Sequence, residues 1–313
     1  MRTLFVGAGA TGGYFGGRLA EVGKDVTFLV RPRRAAELAE HGLRIRGRGG
    51  DATVRPRTVT ADAVDGTYGV VVLAVKSYGL EQAMTDLAPA VGPETVIVPL
   101  LNGMRHVEAL VGAFGEERVY GGVCMIHATV DEAGDVVQLT GLHRLGYGPL
   151  DGDDDGRLGA VTEALSGAVF DSAPSETIVQ DMWEKWMFLA TLGAATTLMR
   201  ASVGDINAAP GGPGFTAGLA EEAVAVLTAA GHAPREGAVA FLRAGVSSTA
   251  PATSSMYRDM IRGAPVEADP IVGDFVTQAG RNGVKTPLLC AAYTNLSIYA
   301  TAQHARVVRK RSE

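Results

Sequence analysis

The chain opens on Thr3-Leu-Phe-Val6, four residues that favour an extended strand, and passes at once into Gly7-Ala8-Gly9-Ala10-Thr11-Gly12. Few folds accommodate that order. The first glycine permits a tight strand-to-helix turn, the second lets the backbone approach an anion, and the third allows close helix–strand packing. The helix N-terminus that follows supplies amide donors and partial positive charge, a cradle for a pyrophosphate. Such a glycine pattern recurs by chance, and a plain tight turn is the competing reading. With a strand before it and a helical pattern over Gly12–Val22 after it, the segment predicts a dinucleotide site formed by Gly7, Ala8, Gly9, Ala10, Thr11 and Gly12.

The rest of the first half fits that start. Strands are predicted at Thr3–Gly7, Asp25–Val30, Val70–Lys76 and Thr95–Leu101, with helices at Gly12–Val22, Leu80–Leu87 and His106–Ala113. Strand–helix alternation implies right-handed crossovers and a doubly wound, mostly parallel α/β sheet of the Rossmann kind. Leu43–Arg46 and Ala52–Arg55 read as a hairpin about Gly49-Gly50, and Val119–Gly148 as further β structure; both are expected as antiparallel additions to that sheet. Beyond about Ser175 the pattern turns helical, at 177–201, 214–231, 235–245, 269–282 and 286–308. The 313 residues therefore divide into an α/β domain, 1–174, and an all-α domain, 175–313.

A net charge of −6 argues against nucleic acid or an anionic membrane as partner. The uncharged apolar run Trp186–Met199 falls short of the roughly 18 residues of a membrane span and reads as a buried helix. The opening lacks the apolar stretch of about 7–15 residues of a secretory signal. Cys124 and Cys290 have neither a disulfide framework nor metal-ligand spacing, so a reduced, cytoplasmic setting without metal is expected. Asp151-Gly-Asp-Asp-Asp-Gly156 copies the opening of a calcium loop, but Thr162 stands where the closing glutamate belongs; a solvated turn before a helix is the better reading. The apolar helices of the second domain leave room for a homodimer.

The second strand bears on the choice of cofactor. NAD-preferring sites place Asp or Glu at its end; here the sequence is Phe28-Leu-Val-Arg31-Pro-Arg-Arg34, favouring NADP(H) through a guanidinium on the 2′-phosphate. Arg33 and Arg34 also fit a solvated helix start. Lys76 and Asn102 end two further strands at the carboxyl edge, where open α/β sheets bind ligands, and each equally fits a residue capping the next turn.

Lysines number five among 28 basic residues, so a lysine in an apolar helix stands out. Lys185 lies in Met182-Trp-Glu-Lys-Trp-Met-Phe-Leu-Ala190 beside Trp183 and Trp186. Desolvation brings an ammonium closer to proton release, which arginine does not offer. A surface lysine paired with Glu184 or Asp181 fits the composition as well. Ser254-Ser-Met-Tyr-Arg-Asp259, with Glu267 after it, supplies hydroxyls and carboxylates suited to a polar ligand.

Taken in order, Gly7–Gly12, Arg31, Lys76, Asn102-Gly-Met, Trp183-Glu-Lys185, Ser254-Ser-Met-x-x-Asp259 and Glu267 resemble the ketopantoate reductase (2-dehydropantoate 2-reductase) family along nearly the whole chain. That resemblance implies a Rossmann domain followed by a helical domain like the C-terminal part of 6-phosphogluconate dehydrogenase. It implies that Arg31 and Lys76 hold the NADP 2′-phosphate and that Asn102 contacts nicotinamide and substrate. Lys185 would donate the proton, Ser255 would bind substrate, and Glu267 would hold cofactor or substrate hydroxyls. The implied reaction is NADPH-dependent reduction of a small-molecule 2-keto acid, first of all 2-dehydropantoate to (R)-pantoate in pantothenate biosynthesis.

The chain departs from the family at two asparagines, four and eight residues past the catalytic lysine, where it has Leu189 and Gly193. Both share the Lys185 face of the helix, so the substrate wall is expected to be more apolar. A paralogue reducing a more apolar 2-keto acid, of the D-2-hydroxyacid or D-mandelate dehydrogenase type, is therefore the alternative. An opine or imine reductase would lack the Ser-Ser-Met…Glu cluster. A non-catalytic NADP-sensing protein would not oxidise NADPH with any 2-keto acid.

Overall fold

The computed structural model describes residues 1–153 and 156–312. The chain forms two compact units, Met1–Leu101 with His106–Val179, and Asn102–Arg105 with the chain from Gln180 onward.

The first unit is built on a parallel sheet of β1 (Thr3–Val6), β2 (Val26–Leu29), β5 (Arg57–Val59), β6 (Val70–Leu73) and β7 (Val96–Pro99), in the order β5-β2-β1-β6-β7. The chain works outward from β1 on one side and then outward from β6 on the other, which puts the switch point between β1 and β6. Both faces are covered, so the strands read as continuous apolar runs. Phe5, Phe28, Val70, Val72, Val96 and Val98 face one core; Leu4, Val6, Leu29, Val71, Leu73 and Ile97 face the other. Helices α3 (Leu80–Leu87) and α4 (Arg105–Phe114) contribute Leu87 and Leu110 to the second core.

The first core is covered by α1 (Ala10–Glu21) and then by a second sheet. That sheet comprises β3 (Leu43–Gly47), β4 (Ala52–Val54), β8 (Tyr120–Val130), β9 (Val136–Pro149) and β10 (Asp171–Pro174). Here the sequence expectation is corrected: these strands do not extend the parallel sheet but form a separate mixed one, linked to it through a bridge between Ile97 and Val119. The reason lies in α1. Its glycines leave room on two sides, Gly16 against Phe5 and Phe28, Gly17 against Leu43 and Ile45. The apolar residues of β3 are thereby buried on the helix rather than along a sheet edge. Two short helices, α2 (Pro32–His41) and α5 (Leu158–Leu165), complete this unit. Asp154 and Asp155 of the calcium-loop lookalike lie outside the described residues.

The second unit is helical. Its elements are α6 (Ile178–Met199), which begins at the end of the first unit, then α7 (Val203–Ala208), α8 (Gly212–Ala229), α9 (Glu236–Val246), α10 (Ser255–Ile261), α11 (Asp274–Arg281) and α12 (Pro287–Ser312). The helix expected at 269–282 is divided: Asp269–Gly273 forms a wide π turn before α11. Helix α6 is apolar over most of its circumference, as a core helix must be. Its buried threonines 191, 196 and 197 return their hydroxyls to the carbonyls of Met187, Leu192 and Gly193. Among the described residues no helix is long and apolar enough to cross a membrane.

The two-sided packing of α1 is open to test. A Cβ at Gly16 would stand 2.7 Å from Phe28 Cζ and 2.8 Å from Phe5 Cγ. Alanine gains about 1 kcal/mol in helix propensity, less than the roughly 1–3 kcal/mol of forcing two rings apart. Gly16→Ala is therefore expected to lower the urea unfolding free energy, whereas on an uncrowded helix it would raise it.

Candidate functional site

In the first unit the chain reverses from β1 into α1 almost without a loop. Gly7 has φ +97°, in the region that disfavours side chains, and its N–H donates to the Leu29 carbonyl at 3.0 Å. A Cβ on Gly12 would lie 2.2 Å from the Gly7 oxygen and 2.9 Å from Ala74 Cβ. Gly9 is the opposite case: it is exposed, and a Cβ there would meet nothing within 4 Å. Gly9 is also the N-cap of α1, without a side-chain cap bond, so the first amides of the helix, at Ala10, Thr11 and Gly12, are left for another acceptor. Two positions shape the turn and one keeps its outer side open. This cradle fits a pyrophosphate.

Arg31 and Lys76 follow β2 and β6, the two neighbours of β1, so both stand at the same carboxyl edge as the glycine turn. Each is exposed, Arg31 as N-cap of α2 and Lys76 just before a 3₁₀ turn at Ser77–Gly79. Arg33 is solvated, as the sequence allowed. Arg34 is not: its side chain is only 20% exposed, and Nη2 donates to the carbonyls of Ala8 (3.3 Å) and Gly134 (3.2 Å) while Nη1 bonds Glu37 (3.1 Å). It fastens α2 to the glycine turn. The sequence carries a faint signal for this, since Pro32 sets a helix start and Arg34 falls one turn beyond Arg31.

The remaining candidates belong to the second unit. Asn102 Nδ2 donates to Glu267 Oε2 at 3.5 Å, and Glu267 is buried. The Asn102–Arg105 segment is held there by two further contacts. A Cβ at Gly103, φ +79°, would lie 2.3 Å from the Pro270 oxygen, and Arg105 pairs with Asp274. Lys185 is half-buried on α6. Its neighbour Trp186 donates Nε1–H to the Ile271 carbonyl at 2.9 Å and packs edge-on against Phe275. The helix bearing Lys185 is thereby fixed to the π turn that follows Glu267, a kind of irregularity often found at functional sites.

The carboxylates beside Lys185 are held by an arginine that no local pattern revealed. Glu184, nearly buried, accepts from the backbone N–H of Arg235 (2.8 Å) and from its Nε (2.9 Å), and Asp181 also pairs with Arg235. Burial opposes ionisation of Glu184, but the Arg235 bonds overcome it and hold the carboxyl below the usual glutamate range. His232 stacks on Trp183 with centroids 4.4 Å apart, and burial pushes its imidazole pKa down.

Ser254 caps α10, its oxygen accepting from Tyr257 N at 3.0 Å and lying 2.8 Å from Thr196 Oγ1 of α6. Ser255, the first residue of α10, is half-buried. Leu189 is half-buried on the Lys185 face of α6. Gly193 is buried, and the Met256 methyl stands 2.4 Å from where its Cβ would be, so thioether fills the space before that glycine. The structure thus brings Asn102 to Glu267, ties the Lys185 helix to the segment after Glu267, and seats the Ser254–Met256 cluster on α6. The glycine turn, Arg31 and Lys76 are grouped in the first unit.

Comparison with known proteins gives two family models that match the chain, ketopantoate reductase PanE/ApbA over residues 3–152 and ketopantoate reductase PanE/ApbA C terminal over residues 177–300. The uncharacterized oxidoreductase YkpB of Bacillus subtilis (strain 168) is 38% identical over 301 residues, 96% of this chain and 99% of that protein. The crystal structure of 2-dehydropantoate 2-reductase from Geobacter metallireducens GS-15 aligns with TM-score 0.85 at 27% identity, covering 95% of this chain and 99% of the other. D-mandelate dehydrogenase, solved with NADH and anilino(oxo)acetate, shares the fold at TM-score 0.85 and 21% identity over 97% of this chain and 100% of its own.

The Glu184–Arg235 pair makes a prediction about acid stability. The folded carboxyl titrates below its ordinary value of 4.5, so its contribution is complete above that pH and is lost as pH falls through the folded value. Removing the guanidinium leaves a buried carboxylate, a loss of about 2 kcal/mol once the partial exposure of Arg235 is allowed for. Arg235→Ala is expected to lower unfolding free energy by that amount at pH 7, with the gap to the natural protein closing as pH falls below 4.5 and through the folded carboxyl's titration. Denaturant titrations across pH check both.

Proposed function

The chain belongs to the ketopantoate reductase family and is an oxidoreductase, and we propose that it reduces a small 2-keto acid to the 2-hydroxy acid at the expense of NADPH. The observation that carries the reading is the grouping of Asn102 with buried Glu267 beside the π turn to which the Lys185 helix is bonded. The open face of the glycine turn supports a dinucleotide.

In this reading the first-turn amides of α1 and the backbone of Gly7–Gly12 receive the pyrophosphate, and Arg31 and Lys76 receive the 2′-phosphate. When bound, the cofactor supplies a hydride from nicotinamide C4 to the keto carbon. The electron pair of the C=O bond moves onto oxygen, and Lys185 gives that oxygen a proton, leaving the hydroxy acid, NADP⁺ and a neutral amine that regains its proton from water. Asn102 orients the carbonyl and the nicotinamide, Glu267 accepts from a hydroxyl, and Ser255 donates to the substrate. Arg235 keeps Glu184 and Asp181 occupied.

The first substrate to test is 2-dehydropantoate, after the activity named for the relative from Geobacter metallireducens. A second reading, a more apolar 2-keto acid, is favoured by Leu189 and by Met256 filling the space before Gly193. Neither position offers the hydrogen bonds that read a substrate hydroxyl.

Steady-state NADPH oxidation across 2-dehydropantoate, branched and aromatic 2-keto acids tests the proposal. Turnover with at least one acid is expected, and Lys185→Ala should cut kcat by about 10³-fold. Activity with none of them, or an unaffected Lys185→Ala, would refute the reductase mechanism. For the cofactor, Arg31→Ala should raise KM for NADPH at least about tenfold and leave NADH kinetics unchanged; equal effects on the two would remove the 2′-phosphate role.

A further inference from the structure

Ala8 stands one residue before the N-cap of α1, so its carbonyl lies outside the helix ladder. The residue is buried, and a buried carbonyl needs a donor. Arg34 supplies it. The two hydrogens of Nη2 serve two oxygens, Ala8 at 3.3 Å and Gly134 at 3.2 Å, while Nη1 donates to Glu37 at 3.1 Å. One guanidinium therefore joins α2, the glycine turn and the turn between β8 and β9.

That last turn is a fixed anchor. The Gly134 N–H donates to the Asp131 carbonyl at 3.1 Å, and the Asp135 N–H to the Asp131 side chain at 2.8 Å. From β3, Arg44 donates to the Ala133 carbonyl at 2.8 Å and pairs with Asp135, on which Arg46 also closes at 3.4 Å. Gly134 has φ +79°, and a Cβ there would stand 3.1 Å from Arg34 Nη1, so the turn is shaped around the guanidinium. Just beyond it, a Val136 methyl lies 3.0 Å from where a Cβ of Gly13 would be, which seats the turn on α1. Arg34 takes its position from the second sheet and passes it to Ala8.

In a planar trans peptide the C=O and N–H point in opposite directions. Holding the Ala8 oxygen toward Arg34 therefore turns the Gly9 N–H away from α2 and the β8–β9 turn. Gly9 has no side chain to restrict its backbone, so this peptide depends on an outside bond for its orientation. Resting on the reading of the glycine turn as a dinucleotide site, we propose that Arg34 is a positioning residue for the cofactor. It orients the Ala8–Gly9 peptide so that the Gly9 N–H joins the first-turn amides of α1 in receiving the pyrophosphate. Arg31 and Arg34 then have separate tasks. Arg31 meets the 2′-phosphate that only NADPH carries; Arg34 sets a donor for the pyrophosphate that NADPH and NADH share.

Calorimetric titration of the natural protein and Arg34→Gln with three ligands tests this: NADPH, NADH and adenosine 2′-monophosphate, which has the 2′-phosphate and no pyrophosphate. Arg34→Gln is expected to weaken both dinucleotides by the same factor, about tenfold, the scale of one hydrogen bond to an anion. Adenosine 2′-monophosphate should bind the two proteins within about twofold. Arg34→Lys keeps the charge but cannot bridge two carbonyls, and it serves should Arg34→Gln fail to fold; an equal loss of about threefold for the two dinucleotides is expected there. A loss confined to NADPH, an equal loss for adenosine 2′-monophosphate, or unchanged affinity for both dinucleotides would each overturn the proposal. If the natural protein does not bind NADPH, the reading of the glycine turn fails; if it does and Arg34→Gln matches it, only the positioning role fails.

Discussion

The oxygen of Gly7 lies 2.2 Å from where any side chain at position 12 would begin, and most of the first unit follows from that closeness. With no side chain at 7 or 12, β1 can end and α1 begin within three residues, so the helix starts directly over the switch point between β1 and β6. Its first amides then stand at the carboxyl edge where the chain leaves β2 and β6 at Arg31 and Lys76. Gly16 and Gly17 carry the same economy along the helix, letting it touch Phe5 and Phe28 on one side and Leu43 and Ile45 on the other. Arg34, bonded to the Ala8 carbonyl, locks the next helix to the turn.

In the second unit the constraint is satisfaction of buried polar groups. An indole N–H, two carboxylates and a row of threonine hydroxyls are buried among the helices, and each needs a partner. The indole of Trp186 finds one in the Ile271 carbonyl of the π turn. Glu184 takes Arg235 and Glu267 takes Asn102. These bonds determine which side of α6 faces which segment, and they leave Lys185 and Leu189 half-buried along one face.

Much of this was legible in the sequence because its signals are local. The four central strands and α3 announce themselves through apolar runs and helical spacing; the glycine turn does so through three residues in a fixed order. The second sheet was not legible as separate, since alternation marks β3, β8 and β9 as half-buried strands without saying what covers them. Short elements such as β5, α7 and α10 give too few residues for a period. The break at Asp269–Gly273 shows only in three dimensions, where Trp186 claims the Ile271 carbonyl. Among site residues, the ordered motifs pointed to Asn102, Lys185, Ser255 and Glu267. Arg235 is 51 residues from Glu184 in the chain, and Met256 meets Gly193 from another helix, so neither partnership leaves a mark on local sequence.

Reduction by a nicotinamide cofactor requires the outer side of the glycine turn to receive a dinucleotide. Gly9 isolates that claim, because it caps α1 and has open space where a side chain would project. Aspartate is a favoured N-cap and suits the helix dipole, so Gly9→Asp should keep or raise the unfolding midpoint while setting a carboxylate where the pyrophosphate would lie. Calorimetric titration with NADPH is predicted to show saturable binding to the natural protein and affinity at least about 100-fold weaker for Gly9→Asp. Equal affinity in the two proteins, or no binding to either, would contradict it.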